Sequence, residues 1–192
     1  FKEILTFSEI TNPLQPETES VKNTLLAILH EAYLLNPKFI NESEGYLITT
    51  ELGFPKNWGL GTSSTLINNI AQWLQIDAFI LLKNSFGGSG YDIACAQNNT
   101  PVLYAIVEDK PIIEKVIFNP DFAENLYFVY LNKKQSSKNA IADYFKKQKN
   151  DVETISKISN ITNLTVSSKN IDDFISKIES HETILSKILD TN

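Results

Sequence analysis

The sequence has little cysteine and histidine, and it lacks long apolar runs. Cys95 is the single cysteine, which excludes an internal disulfide and fits a reducing compartment. One cysteine and two distant histidines also argue against a zinc site. No apolar run is long enough to cross a bilayer, and no secretory signal pattern is present. We therefore expect a cytoplasmic protein with no membrane partner.

Positive charge is also scarce. The 192 residues carry a net charge of −6, without a dense lysine and arginine stripe and without interleaved aromatic and basic residues. This balance argues against nucleic acid as a partner. An acidic chain can still bind a small anion through backbone amides, so charge alone leaves that class of ligand open. A hydrophobic content of 42% is enough for one generous domain or two small ones.

Hydrophobic spacing gives a coarse order of helices and strands. Residues 1–16 are predicted to form a strand or an arm, and a turn at 119–124 separates two groups of elements. Predicted helices cover 17–36, 63–74, 77–83 and 136–148, with amphipathic helices after 152. Predicted strands cover 45–52, 101–107, 115–118 and 126–131, with a polar turn at 108–110 between the second and the third.

The first loop of chemical interest follows the strand predicted at 45–52. Gly59 and Gly61 directly precede the hydroxyl run Thr62–Thr65 and an apolar helical pattern. Small residues let backbone amides approach an anion, and a helix N-terminus favours negative charge. The loop has neither the lysine of a P-loop nor the third glycine of a dinucleotide fingerprint, since Ser64 stands there. It is either a phosphate cradle or an ordinary capped turn.

The second loop, FGGSGYDIACA at 86–96, places a lone acid after a glycine run. Phosphoryl transfer to an alcohol requires a carboxylate near the attacking hydroxyl, together with donors and magnesium around the phosphates. Asp92 could supply that carboxylate, or it could be a helix N-cap. Cys95 is expected to be a buried small hydrophobe.

Taken together, the two loops resemble one enzyme family. PKNWGLGTSS at 55–64 resembles the P-x-x-x-G-L-G-S-S signature of the GHMP kinases, which include galactokinase, homoserine kinase, mevalonate kinase and phosphomevalonate kinase. GYD at 90–92 stands where many of those enzymes carry S-G-x-D. The stretch GSGYDIACA, followed by a strand with Tyr104, is most similar to the phosphomevalonate kinase branch and to a bacterial group named for its GYDIA stretch. The resemblance covers about 17–135.

The resemblance implies roles for individual residues. Ser63 matches a serine that helps to hold magnesium, and Asp92 matches the aspartate that orients or deprotonates the acceptor hydroxyl. Ser89 and Gly90 would shape the acceptor pocket. The residues that the match assigns to the ATP phosphates are Gly59, Leu60, Gly61, Thr62, Ser63 and Ser64.

The implied fold is α+β with two lobes. Residues 1–119 would form a ribosomal-protein-like N-terminal ATP-binding lobe, and 120–192 would begin a ferredoxin-like C-terminal lobe. The implied cofactors are ATP and Mg²⁺, and the implied substrate is a small acidic metabolite. Phosphomevalonate is the first choice of acceptor and mevalonate the second, with sugars or homoserine behind. The alternative is a non-catalytic GHMP-like protein that binds a metabolite or a partner.

Three departures from the family pattern qualify these expectations. Leu81 stands where mevalonate kinases carry a magnesium-binding glutamate, which disfavours mevalonate kinase itself. The family's N-terminal strand with its lysine and its C-terminal glycine-rich loop have no counterpart here. The resemblance therefore implies a fold incomplete at both ends, the middle of a longer enzyme, with an unpaired sheet edge that favours a homodimer.

Overall fold

A computed structural model describes residues 2–13, 20–55, 58–130, 132 and 152–189. The chain divides into two compact units, Phe1–Ile113 and Glu114–Asn192. The described residues combine helices with one small antiparallel sheet of two strands. The fold class is therefore α+β in general terms, as predicted. The predicted boundary between 119 and 120 lies further along the chain than the division between the units.

Helices make up about half of the described residues of the first unit. The predicted helices at 17–36, 63–74 and 77–83 are confirmed, although 14–19, where the first was expected to begin, lie outside the described residues. Ser20 and Asp77 cap two of these helices with their side chains. The described helices of this unit are α1 (Phe7–Thr11), α2 (Val21–Leu35), α3 (Lys38–Asn41), α4 (Thr62–Leu74), α5 (Ala78–Ser85) and α6 (Tyr91–Ala96).

The strand or arm expected for residues 1–16 is wrong where the structure describes that segment, because it contains α1. A capping box explains the helix: Glu9 N–H donates to Thr6 Oγ1, while Thr6 N–H donates to Glu9 Oε2 at 2.8 Å. Lys22 Nζ binds Glu9 Oε1 at 2.9 Å. His30 Nδ1 lies 2.8 Å from the Ile10 carbonyl, which joins α2 to the end of α1.

The core of the first unit lies where α2, α4, α5 and α6 meet. Ile67 of α4, Leu81 of α5 and Ile93 of α6 are its largest fully buried side chains. Each such side chain contributes about 2–3 kcal/mol through removal of apolar surface from water. Ala32, Ala71 and Ala94 are also buried, and small residues allow the helices to approach closely. This packing fixes the positions of the loops that precede α4 and α6.

A hairpin follows α6. Strand β1 (Val102–Val107) and strand β2 (Lys110–Lys115) are joined by Glu108 and Asp109, both with positive φ as in the tight hairpin turns. The predicted strand at 101–107 is confirmed. The strand predicted at 115–118 is wrong: the short turn starts β2 at Lys110, and β2 ends at Lys115. Phe118 packs on Phe122 and Phe174 within the second unit instead.

The strand predicted at 45–52 is also wrong, since these residues form no strand. The Tyr46 hydroxyl donates to the Phe39 carbonyl at 2.6 Å, and its ring packs edge-on against Trp73 at 4.9 Å. These contacts attach the segment to an aromatic cluster rather than to a sheet. Leu47 and Ile48 are exposed.

The second unit contains a 3₁₀ helix (Ala123–Asn125), α7 (Val152–Val166) and α8 (Ile171–Leu189). Helices α7 and α8 pack against each other, which confirms the amphipathic helices predicted after 152. The strand predicted at 126–131 is wrong over its described part, because 126–130 form no strand and are exposed. Residue 131 and the helix predicted at 136–148 lie outside the described residues.

Truncating Ile67 tests the core. We expect Ile67→Ala to lower the free energy of unfolding by about 3 kcal/mol, because it leaves a cavity between helices. Ile80, on α5, is 47% exposed and gives a matched control. We expect Ile80→Ala to cost less than about 1 kcal/mol. Urea unfolding measures both, and equal losses in the two variants would contradict the packing described above.

The carboxyl of Glu9 predicts a dependence on pH. Hydrogen bonds from the Thr6 backbone, from Lys22 and from the Thr6 hydroxyl lower the pKa of Glu9 from 4.5 to about 2. Because the folded pKa lies below the unfolded one, Glu9 stabilises the fold above pH 4.5, and this contribution disappears as the pH falls towards 2. NMR titration of the carboxyl carbon should give a midpoint near 2, and Lys22→Met should raise it. A wild-type midpoint near 4.5 would contradict this assignment.

Candidate functional site

The first loop ends in the N-terminus of α4. Gly59 and Gly61 have φ of 74° and 65°, a left-handed conformation that glycine adopts without steric cost. Gly61 is the N-cap and offers no side chain to the first turn. The Thr65 N–H donates to the Gly61 carbonyl at 3.0 Å as the first bond of the helix. The N–H groups of residues 62–64 precede that bond, so the helix itself does not use them.

The side chains of this loop face outward to different degrees. Leu60 and Ser63 are exposed, whereas Thr62 and Ser64 are half-buried. Backbone amides and hydroxyls of residues 62–64 thus lie together at the start of a helix of 13 residues. Such a group favours an anion both through hydrogen bonds and through the helix dipole.

The second loop ends in the N-terminus of α6. Gly87, Gly88 and Gly90 all have positive φ, and Gly90 is the N-cap. The Tyr91 N–H donates to Ser89 Oγ at 3.3 Å. Asp92 lies in the first turn of α6, so it is not the N-cap that the sequence left open as an alternative.

Glycine is required at Gly90 for steric reasons. A β-carbon built there would lie 2.9 Å from Cδ1 of Phe79 and 3.1 Å from the hydroxyl of Tyr104. Its φ of 82° is also unfavourable for any residue with a β-carbon. Gly90 is buried, whereas Ser89 beside it is exposed.

The two loops, far apart in the sequence, meet in space. A β-carbon built at Gly61 would lie 3.3 Å from Cγ and 3.4 Å from Oδ2 of Asp92. Asp92 is exposed, so its carboxylate lies at the surface beside the start of α4. The structure therefore brings the predicted phosphate loop and the predicted catalytic acid into contact.

A partly buried hydrogen bond joins α4 to the C-cap of α6. Gln97 Nε2 donates to Oδ1 of Asn68 at 3.1 Å, and Asn68 is only 3% exposed. Ile67 of α4 and Ile93 of α6 belong to the buried core that these helices share. Sequence reasoning missed Asn68 and Gln97, because an isolated amide within a helical pattern does not reveal its partner.

Tyr91, next to Asp92 in the chain, packs against a second tyrosine. A hydrogen bond with Cys95 and partial burial raise the pKa of Tyr91. The ring of Tyr104, on β1, packs edge-on against Tyr91 at 5.8 Å. Cys95 is exposed, so the expectation that it is buried is wrong: Ile93 and Ala94 supply the buried face of this short helix.

Neither a metal-binding cluster nor a membrane-spanning helix occurs among the described residues. Among them, no three histidine, cysteine or acidic side chains form a group that could hold a metal ion. The helices among the described residues are too short or too polar to span a bilayer. Leu81 is fully buried, so the position where mevalonate kinases carry an acid belongs to the core here. Comparison of the chain with protein-family models, with curated proteins and with solved structures gives no match.

The steric requirement at Gly90 leads to a prediction. We expect Gly90→Ala to lower the free energy of unfolding by about 1–3 kcal/mol, because the methyl group meets Phe79 and the backbone is strained. Gly53→Ala is the matched control, since open space surrounds that position. It should change stability by less than about 0.5 kcal/mol. Thermal and urea unfolding would reveal the difference, and a neutral Gly90→Ala would refute the described loop conformation.

Proposed function

We propose that the protein is an ATP-dependent small-molecule kinase of the GHMP type with the two-lobed fold of that family. It transfers a phosphoryl group to a hydroxyl or phosphate of a small acidic metabolite. Phosphomevalonate is the preferred acceptor and mevalonate the next. The observation that supports the proposal is the contact between Gly61 and Asp92. Gly61 lies in the loop that precedes α4, directly before the hydroxyl residues.

The loop before α4 fits the phosphates of a nucleotide. Both glycines are in the left-handed conformation, and the N–H groups of 62–64 are outside the helical ladder. In this proposal Gly59, Leu60, Gly61, Thr62, Ser63 and Ser64 hold the phosphates. The hydroxyl of Ser63, which is exposed at the start of the helix, would supply an oxygen ligand to a magnesium ion. Bound magnesium would neutralise charge on the phosphate oxygens.

Asp92 is the proposed catalytic residue. Its exposed carboxylate stands beside Gly61, where it can accept a hydrogen bond from the hydroxyl of an acceptor held next to the phosphates. Ser89 and Gly90, which lie three and two residues before Asp92 in the loop that precedes α6, form the acceptor side. Removing the charge of Asp92 should therefore affect phosphoryl transfer more than nucleotide binding.

Replacing the acid tests this division of roles. With ATP, magnesium and phosphomevalonate or mevalonate, we expect Asp92→Asn to lower kcat by about 10²–10⁴-fold. The dissociation constant for ATP, measured by calorimetry, should change by less than about threefold. Asp109→Asn, in the exposed hairpin turn, is the matched control and should leave both quantities unchanged.

Other outcomes of this experiment would assign a different function. Formation of phosphorylated product is monitored by ³¹P NMR. If the wild type binds ATP but forms no phosphorylated product, the result favours the non-catalytic binding protein. Equal turnover in the wild type and Asp92→Asn would remove the catalytic role from Asp92. Absence of ATP binding in the wild type would overturn the kinase proposal altogether.

A further inference from the structure

We propose that Tyr104 is a positioning residue that holds the glycine run 87–90 in the conformation that places Asp92 beside Gly61. Its importance for phosphoryl transfer rests on the proposed kinase function. The hold on the loop is a property of the fold and can be measured without any substrate. Tyr104 acts on Asp92 through the intervening residues.

Tyr104 contacts each of the three residues that precede Asp92. Its hydroxyl donates a hydrogen bond to the carbonyl of Ser89. The same oxygen lies 3.1 Å from the position that a β-carbon of Gly90 would occupy. Its ring packs edge-on against Tyr91, with the ring centroids 5.8 Å apart and the planes at 74°. A single side chain on β1 thus holds the segment from Ser89 to Tyr91, which leads to Asp92.

The glycine run requires such support. Gly87, Gly88 and Gly90 have positive φ, and a β-carbon at either of the first two would meet nothing within 4 Å. Glycine loses more conformational freedom on folding than any other residue, so a loop with open space around it needs a specific bond to keep one shape. The bond from Tyr104 reaches Ser89, between Gly88 and Gly90.

The position of Tyr104 suits it to this role. It lies within β1, whose pairing with β2 fixes its backbone, and α6 packs against the same strand. Burial raises the pKa of Tyr104, so its hydroxyl stays protonated as a donor near neutral pH. Aromatic packing alone would require only the ring. The hydrogen bond to Ser89 requires the hydroxyl, and this difference separates a positioning role from simple packing.

Tyr104→Phe removes the hydroxyl and keeps the ring. We expect amide hydrogen exchange of peptides covering 86–92 to become about five- to tenfold faster in this variant, while peptides from α2 stay unchanged. Tyr127→Phe is the matched control, because Tyr127 is 82% exposed and lies in the second unit. It should alter exchange in neither region.

Kinetics test the consequence for Asp92. In the active wild-type protein we expect Tyr104→Phe to lower kcat by about tenfold, with KM for ATP changed by less than about twofold. A rise of KM for ATP with an unchanged kcat would contradict the proposal that Tyr104 positions Asp92. Unchanged exchange at 86–92 would overturn the proposal whatever the kinetics show.

The two proposals fail in distinguishable ways. A wild-type protein that neither binds nor consumes ATP overturns the kinase function, while exchange at 86–92 still decides whether Tyr104 holds the loop. If Tyr104→Phe does not fold, a measurement on the wild-type protein decides whether Tyr104 holds the loop. Its Tyr104 hydroxyl proton should exchange slowly enough to be seen by NMR, and rapid exchange with water would overturn the proposal.

Discussion

Packing between α4 and α6 is the constraint on which the candidate site depends. Ile67 and Ile93 are fully buried, and each contributes about 2–3 kcal/mol by leaving water. That apolar contact alone would tolerate small shifts of one helix along the other. The partly buried hydrogen bond between Asn68 and Gln97 is directional, and sliding would leave the buried Asn68 amide without its partner. The helices therefore have one preferred register, and their N-termini meet as a result.

Two glycines in the left-handed conformation allow the loops before α4 and α6 to approach each other closely. Gly61 places its α-carbon against the side chain of Asp92, where a β-carbon would approach within 3.3 Å. Gly90 does the same between Phe79 and Tyr104. Each glycine is thus the point at which a loop passes close to another side chain. The close approach of the two loops depends on these two positions as much as on the buried isoleucines.

The sequence was sufficient to predict elements whose determinants are local. Helical spacing identified α4, a short helix was predicted at 77–83 where α5 lies, and the glycines at 59–61 and 87–90 identified the loops before α4 and α6. The segments 45–52 and 126–130 were mistaken for strands, because a strand requires a neighbouring strand and apolar alternation does not supply one. The contact of Tyr104 with Ser89 was likewise beyond local reasoning, since it joins a strand to a distant loop.

The net charge of −6 bears on how such a site could bind a phosphate. The overall negative charge of the protein repels an anion, so the interactions that attract a phosphate must be local and short-ranged. Backbone N–H groups at the start of α4 act at hydrogen-bond distance, where the overall charge matters least. The carboxylate of Asp92 beside Gly61 adds local repulsion to a bare phosphate. A phosphate accompanied by a cation would avoid that repulsion, so the proposed kinase function requires the nucleotide to arrive with its metal ion rather than as a free anion.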